Sequence, residues 1–596
     1  MKHRNKEQSL FSGAMVLLVA TVVVHIVGIL YKIPLTALVG TVGRGYFSAA
    51  YEIYTPIYAI SMAGLPVAVS RMVAERMATG RYREVRVIFK IVKRLFLFTG
   101  FIGTAFLFIM AYPYTHWEIF INSPNAMPSI LAIAPSVFFC CVMSTYRGYY
   151  EGMRNMLPTA ISQVLEAVGK LVFGIAFAKI VMKIGEQQYA ASGVVFGTTV
   201  HSEAEAYSAI YPYSAAAAIG GVTVGTIFAL LFVMIRHKAI GDGITRENLV
   251  NSPRPAPSKD LAKMLISIAI PVVASSLILN ITNIIDSWTI QNRLVDVIEN
   301  NLPYIKDTYS QQLLKSGTIN KDIKDYLYGA YGAALDFKNL LPTITMTLGV
   351  SSIPALSSAW AIKDRRKIYR TIDSVLRASL LIALPTGICM AILAKPILTF
   401  MYIGTRAESS IEITAYIVSV YGFAAAVMAL STPITNMLQA IGRADVPVKS
   451  LILGAIVKII SNYILVGNPE LNIYGAPVGT ILCYIIIVTN NLFFLIKETK
   501  IKLHISSVLL KPLFCSILCG FSAWSSYGLL DMAFKFGDAS ARLNGSALAL
   551  LISSIISVFV YLVSLFLVNA ISKYDVLMLP KGEKIAKTLE KYGLIG

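Results

Sequence analysis

The sequence predicts an all-α fold, a polytopic membrane protein of roughly fourteen transmembrane helices, and three observations carry that prediction. Of 596 residues, 56% are hydrophobic and only 14% charged, with a mean hydropathy of +0.67; a soluble domain of this length does not have that composition. Apolar runs recur along the whole chain, each near the ~20 residues that an α-helix needs to cross a hydrocarbon core about 30 Å thick. Finally, Lys and Arg outnumber Asp and Glu by 52 to 32 and fall in alternate loops rather than in one patch. That alternation is an orientation signal and not a nucleic-acid footprint.

In chain order, the predicted spans lie near 10–35, 47–75, 86–112, 126–147, 157–181, 210–235, 262–288, 329–358, 371–393, 411–438, 447–466, 474–496, 509–529 and 545–570. The first follows Lys2 to Lys6, but its apolar run is too long for a secretory signal and has no small-x-small cleavage site before Tyr31, Lys32 and Pro34. The loop after the second span carries Arg76, Arg81, Arg83, Arg86, Lys90, Lys93 and Arg94, and the loop after the eighth carries Lys363, Arg365, Arg366, Lys367 and Arg370. Both lie on the side of the N-terminus. An even number of spans then puts both termini in the cytoplasm. Two external loops, Lys183 to Ser208 and Gln291 to Tyr328, are expected to be long, and the tail with KGEKIAKTLEKYG at 581–593 reads as a short amphipathic helix or a solvated basic end. Prolines inside spans, among them Pro56, Pro66, Pro271, Pro342 and Pro354, are expected kinks. All six cysteines lie in apolar stretches and read as packing residues, with neither a disulfide framework nor a zinc site.

Short patterns recur at an offset of about 288 residues, the signature of a duplicated unit. Gly152, Arg154 and Pro158 correspond to Gly442, Arg443 and Pro447, and Gly64 through Ser70 corresponds to Ile353 through Ser358. A six-span unit enters the membrane in the same sense each time, so the copies are related by an axis along the membrane normal. The predicted organisation is an N-terminal lobe at 1–239, a polar cytoplasmic linker at 240–261, a C-terminal lobe at 262–500, and two extra helices with a tail at 501–596.

Charge inside a span costs at least about 2.5–3.5 kcal/mol at the bilayer centre, so such residues face protein or water and mark a function. If Pro158 opens the fifth helix, a rise of 1.5 Å per residue puts Glu166 roughly 12 Å and Lys170 roughly 18 Å deep. Four residues apart, they share a face and are expected to pair. Lys458, counted from Pro447, lies roughly 16 Å deep by the same rise. One buried lysine per lobe, at matching depth, suits a diphosphate, because a desolvated ammonium gains most from a ligand that supplies the missing charge. A static helix pair for Glu166 with Lys170, and backbone carbonyls around Lys458, is the structural alternative. Lys32 and Asp286, near the outer ends of the first and seventh spans, are further candidates, with snorkelling as the plain reading of Lys32. At the inner end of the fourth span Arg147 and Arg154, among Tyr146, Tyr149 and Tyr150, fit either an entrance that stacks sugars and grips phosphate or an interfacial aromatic belt.

YKIPLTALVG at 31–40, GLPVAVSRMVAERMATGR at 64–81, LPTAISQVLEAVGK at 157–170, IPVVASSLILNITNIIDSWTIQNRL at 270–294 and QAIGRADVPVKSLILGAIVKIISNYILV at 439–466 resemble the polysaccharide transporter branch of the multidrug/oligosaccharidyl-lipid/polysaccharide (MOP) exporter superfamily. Within it the resemblance is to the stage V sporulation protein B and MurJ-type lipid II flippase groups. It implies two six-helix lobes around a cationic cavity, two extra helices forming a groove for a lipid tail, and flipping of undecaprenyl-diphosphate-linked sugars to the outer leaflet of the bacterial plasma membrane by alternating access. Carried over by position, it puts Glu166, Lys170 and Lys458 in the cavity. MurJ-type relatives concentrate arginines along the first, second and eighth helices, whereas the first helix here offers Lys32. No cofactor is implied beyond Na⁺ or H⁺ as a coupling ion with Glu166 as the coupling acid. The implied partners are the lipid-linked sugar diphosphate, the bilayer and cell-wall synthesis proteins. A Na⁺- or H⁺-coupled multidrug exporter is the first rival, opposed by the paired lysines. A membrane glycosyltransferase or polymerase is the second, and would need its acids on the segment 291–328. No Walker motif, HExxH or nucleophile elbow is present.

Overall fold

The computed structural model describes residues 10–60, 65–501, 503–534 and 544–570. The amphipathic tail after Lys573, the basic start Lys2 to Lys6, and Gly64 of the repeat pattern lie outside the described residues. The chain is a succession of helices: α1 (Leu10–Ala59), α2 (Leu65–Ala78), α3 (Tyr82–His116), α4 (Met127–Gly152), α5 (Leu157–Ser192), α6 (Glu203–Ile240), α7 (Arg246–Val250), α8 (Ser258–Thr308), α9 (Ser310–Ser316), α10 (Ile323–Lys338), α11 (Leu340–Ala361), α12 (Arg365–Ile392), α13 (Ala394–Tyr402), α14 (Ile411–Phe423), α15 (Ala425–Ala440), α16 (Asp445–Leu465), α17 (Gly475–Thr499), α18 (Lys511–Ala533) and α19 (Gly545–Leu567). Among the described residues, nine helices are long and apolar enough to cross a membrane, or ten if α14 and α15, bent by 54° at their junction, form one broken span. α5, with 36 residues, and α8, with 51, also exceed the length of a single crossing.

Two expectations are corrected. No loop separates the first two spans. α1 runs through the first and on into the second as far as Ala59, leaving helical geometry only at Gly40, whose φ of 69° is open to glycine and strained for other residues. A Cβ there would also press on the Tyr211 ring at 3.2 Å. The expected long loops are largely ordered too. α5 continues to Ser192, a two-residue hairpin pairs β1 (Val194–Val195) with β2 (Thr198–Thr199), and α6 starts at Glu203. Likewise α8 runs to Thr308, and α9 and the first turns of α10 fill most of 310–328. Beyond the lipid a helix still satisfies its own backbone, so polarity of sequence does not end it.

Packing divides the chain into two compact units, Met1–Ile298 with Leu313–Gly329 and Glu299–Gln312 with Ala330–Gly596, and the division falls inside α8 and α10. These units are distinct from the lobes 1–239 and 262–500, which rest on sequence correspondence rather than on packing. In the first unit, α5 and α6 meet backbone to backbone. A Cβ on Gly221 would stand 2.2 Å from the Gly174 nitrogen, and one on Gly169 2.6 Å from Gly225. Small residues let membrane helices approach this closely, where dispersion rather than hydrophobic burial holds them. A second close crossing brings α1 onto α10, with Gly45 against the Asp325 carbonyl and Gly329 against that of Thr41. In the second unit, α18 and α19 pack on α12 and α13 through Cys515, Cys519, Tyr561 and Leu565, and the Tyr561 hydroxyl donates to the Leu381 carbonyl at 2.6 Å.

Candidate functional site

The α5–α6 seam fixes how α5 presents its charges. With Gly169 and Gly174 committed to α6, Glu166 and Lys170 project from α5 at other angles, towards α4 and α1 respectively. They do not pair with each other, contrary to the expectation from their spacing. Glu166 accepts from Arg147 of α4 at 3.0 Å, and the Arg147 guanidinium also donates through Nε to Ser162 at 2.8 Å. Arg147 is 1% exposed in its side chain and Glu166 15%. Arg147, read from the sequence as either a gripping residue or part of an interfacial aromatic belt, is thus placed in a buried ion pair. A fork of guanidinium donors matches a carboxylate better than an ammonium does, so α4 wins Glu166 from the same-helix lysine.

Lys170 instead sits in an aromatic frame. Its Nζ donates to the Tyr51 hydroxyl at 3.0 Å and lies over the rings of Tyr31 and Tyr51 at 4.9 and 4.7 Å. Tyr31 is fully buried and tied by its hydroxyl to the Ala218 carbonyl at 3.0 Å. Two π faces and one neutral oxygen hold the ammonium without cancelling its charge. Among the described residues it has no carboxylate partner. Half-buried, with donors to spare, it is the kind of group an anion completes.

The frame belongs to a longer aromatic ladder. Phe47, Tyr51, Tyr54 and Tyr58 follow one another along α1 with centroids 5.3–5.6 Å apart, and Tyr31 joins at 6.1 Å from Phe47. Arg44 lies over the Phe47 ring at 5.3 Å. Sequence reasoning named Tyr31 only in passing and missed Tyr51, Ser162 and Arg44. The signal was available, since aromatics at 47, 51, 54 and 58 repeat at helical spacing on one face.

The remaining predicted residues are placed as follows. Asp286 on α8 is 6% exposed and Lys458 on α16 is 5% exposed, the latter in the second unit. Lys32 on α1 is half-buried. Arg154 is exposed in the turn after α4, with φ at 57°. Near the start of α10 in the first unit lies a polar knot not foreseen from sequence. Asp322 accepts from Tyr46 and Ser208, Ser123 donates to Asp325 at 2.7 Å, and Lys324 donates to the carbonyls of Ile121 and Asn122 at 2.8 Å. Burial pushes the Asp322 carboxyl up to about 6, the Ser208 hydrogen bond opposing and the Asp325 charge adding to the rise. No group of three or more His, Cys, Asp or Glu side chains arranged to hold a metal occurs among the described residues.

The described residues are those of a multi-pass helical membrane protein with a half-buried lysine in an aromatic frame and an ion pair one helical turn before it. The chain belongs to the polysaccharide biosynthesis protein family, which matches residues 10–360; residues 339–535 match the lipid II flippase MurJ family. It is 24% identical to the lipid II flippase MurJ of Bacillus subtilis (strain 168), over 80% of each chain, and 23% identical to stage V sporulation protein B of the same organism, over 86% of this chain and 89% of that one. Its fold is similar to that of lipid II flippase MurJ in an inward closed conformation, with a TM-score of 0.57, 15% identity, and coverage of 92% of this chain and 98% of that one. It is also similar to an inward-facing multidrug resistance MATE family transporter, with a TM-score of 0.58, 12% identity, and coverage of 82% and 98%.

Proposed function

We propose that this protein is a flippase for a polyprenyl-diphosphate-linked saccharide, a peptidoglycan precursor or a surface polysaccharide unit, moved from the inner to the outer leaflet of the bacterial plasma membrane by alternating access. The observation that carries the reading is the ammonium of Lys170, held by two tyrosines with no carboxylate to neutralise it among the described residues. A diphosphate supplies the missing charge, and Lys458, buried in the second unit at the corresponding repeat position, is the second grip. In this reading Lys170 of the first unit and Lys458 of the second each offer an ammonium to the diphosphate, and the two last helices serve the lipid tail. Arg147 and Glu166 form the gate beneath: a proton or cation at Glu166 frees the Arg147 guanidinium for the passing phosphate, which couples transport to an ion gradient. Both termini face the cytoplasm, where cell-wall synthesis proteins supply the substrate. Similarity to lipid II flippase MurJ and to stage V sporulation protein B supports a lipid-linked precursor as the substrate class. A cationic drug, by contrast, would meet an uncancelled positive charge at Lys170.

The test reconstitutes the full chain in liposomes with fluorescent polyprenyl-diphosphate saccharide and follows leaflet exchange with and without an ion gradient. Expected is exchange by the wild-type protein that falls at least about tenfold in Lys170→Ala, the loss of one charge-assisted contact. Unchanged exchange in the Lys170→Ala/Lys458→Ala double variant overturns the site, and efflux of a cationic dye instead of lipid exchange overturns the substrate class.

A further inference from the structure

The basic ends of α3 and α6 enclose a cavity of about 260 Å³ lined by Arg86, Phe89, Lys90, Tyr149, His237 and Asp242, all in the first unit. Its floor is a stack, His237 against Phe89 at 5.0 Å and 27°, with the Tyr150 hydroxyl bonded to His237 Nδ1 at 3.0 Å. The carboxylate in it is saturated. Asp242 accepts from Arg86 at 3.4 Å, from the Tyr149 hydroxyl at 3.0 Å and from the Ile244 backbone N–H at 3.0 Å. Arg86 is further engaged by the Ile244 carbonyl. Lys90, exposed at the rim, has no hydrogen-bond or ion-pair partner among the described residues. Two cations line the cavity, and Lys93 and Arg236 lie within electrostatic range of His237, against the one occupied acid. The balance of charge favours an anion beyond Asp242.

The helix that supplies Lys90 also says where that anion comes from. Lys90, Arg94, Phe98 and Phe101 follow at spacings of four, four and three, one face of α3. Its basic turns give way to phenylalanines 63% and 67% exposed. A cationic pocket at the end of a lipid-facing apolar stripe has the polarity of an amphiphile with an acidic head. We propose that this cavity binds the phosphodiester headgroup of an anionic glycerophospholipid from the surrounding leaflet, with Lys90 as the principal contact and the acyl chains along Phe98 and Phe101.

Purified full-length protein in detergent would be titrated with phosphatidylglycerol, with phosphatidylcholine of the same chains, and with inorganic phosphate, binding being read by native mass spectrometry. Expected are retained phosphatidylglycerol adducts, weaker phosphatidylcholine binding, about fivefold loss of phosphatidylglycerol affinity in Lys90→Ala, a larger loss in Lys90→Glu, and recovery in Lys90→Arg. Lys170→Ala should keep the lipid, which separates this pocket from the transport site. Equal binding of the two lipids, unaltered affinity in Lys90→Glu, loss of lipid in Lys170→Ala, or inorganic phosphate displacing the lipid at millimolar concentration each overturns the proposal.

Discussion

At the scale of single residues, Arg147 and Glu166 make the sharpest contrast between spacing and structure. Glu166→Ala strands a guanidinium that is 1% exposed and cannot lose its proton, and should cost about 3–5 kcal/mol, seen as a lower unfolding temperature in detergent. Removing both partners with apolar replacements should restore much of that loss, and a double-mutant cycle measures the difference. Asp322 gives a pH prediction of definite sign. Its carboxyl titrates at about 6 in the folded protein against an ordinary 3.8, so between those values the folded chain holds a proton that the unfolded chain has lost. Stability from this group is therefore greatest on the acid side and is lost as pH rises through about 6. Asp322→Asn should flatten that slope, tested by thermal unfolding across the window from about 3.8 to about 6 and on to neutral pH. The sequence made Lys170, Glu166 and Lys458 visible because charge inside an apolar run is conspicuous in one dimension. It hid their partners because Arg147 sits 19 positions before Glu166, and Tyr51 119 before Lys170. Contacts of that kind are set by the α5–α6 seam, which no local pattern announces.

Among the elements, apolar runs located most helices: α16, α17, α18 and α19 start and end within a few residues of expectation, while α12 begins at Arg365, inside the expected basic loop. What periodicity could not give is where a helix continues past the lipid, as α5 and α8 do, or breaks within it, as between α14 and α15. In α1 the backbone leaves helical geometry at Gly40, where φ is 69°, and keeps helical φ/ψ at Pro34 and Pro56. The seam offers a direct test of element packing. Gly221→Val should destabilise by about 1–3 kcal/mol or more because its Cβ meets backbone that cannot move aside, whereas Gly220→Ala, with nothing within 4 Å, should leave the unfolding temperature unchanged.

For the whole molecule, composition and the alternation of basic loops were enough to assign a multi-pass membrane protein, and the family match agrees. A cysteine introduced at Asn251, between α7 and α8, should react with a membrane-impermeant maleimide only after the inner face is exposed. Background labelling should be low, since five of the native cysteines are buried and Cys389 partly so. Labelling from outside intact cells would reverse the topology. The crossing of α1 with α10 also bears on how such a chain moves. With bare backbone on both sides at Gly45 and Gly329, the two helices meet there without side chains between them, a contact suited to a pivot. From Gly45 to Ala59 is about 21 Å of helix, so a roll of about 10° carries the far end by nearly 4 Å. Any tilt about that contact is therefore multiplied along α1 with distance from Gly45.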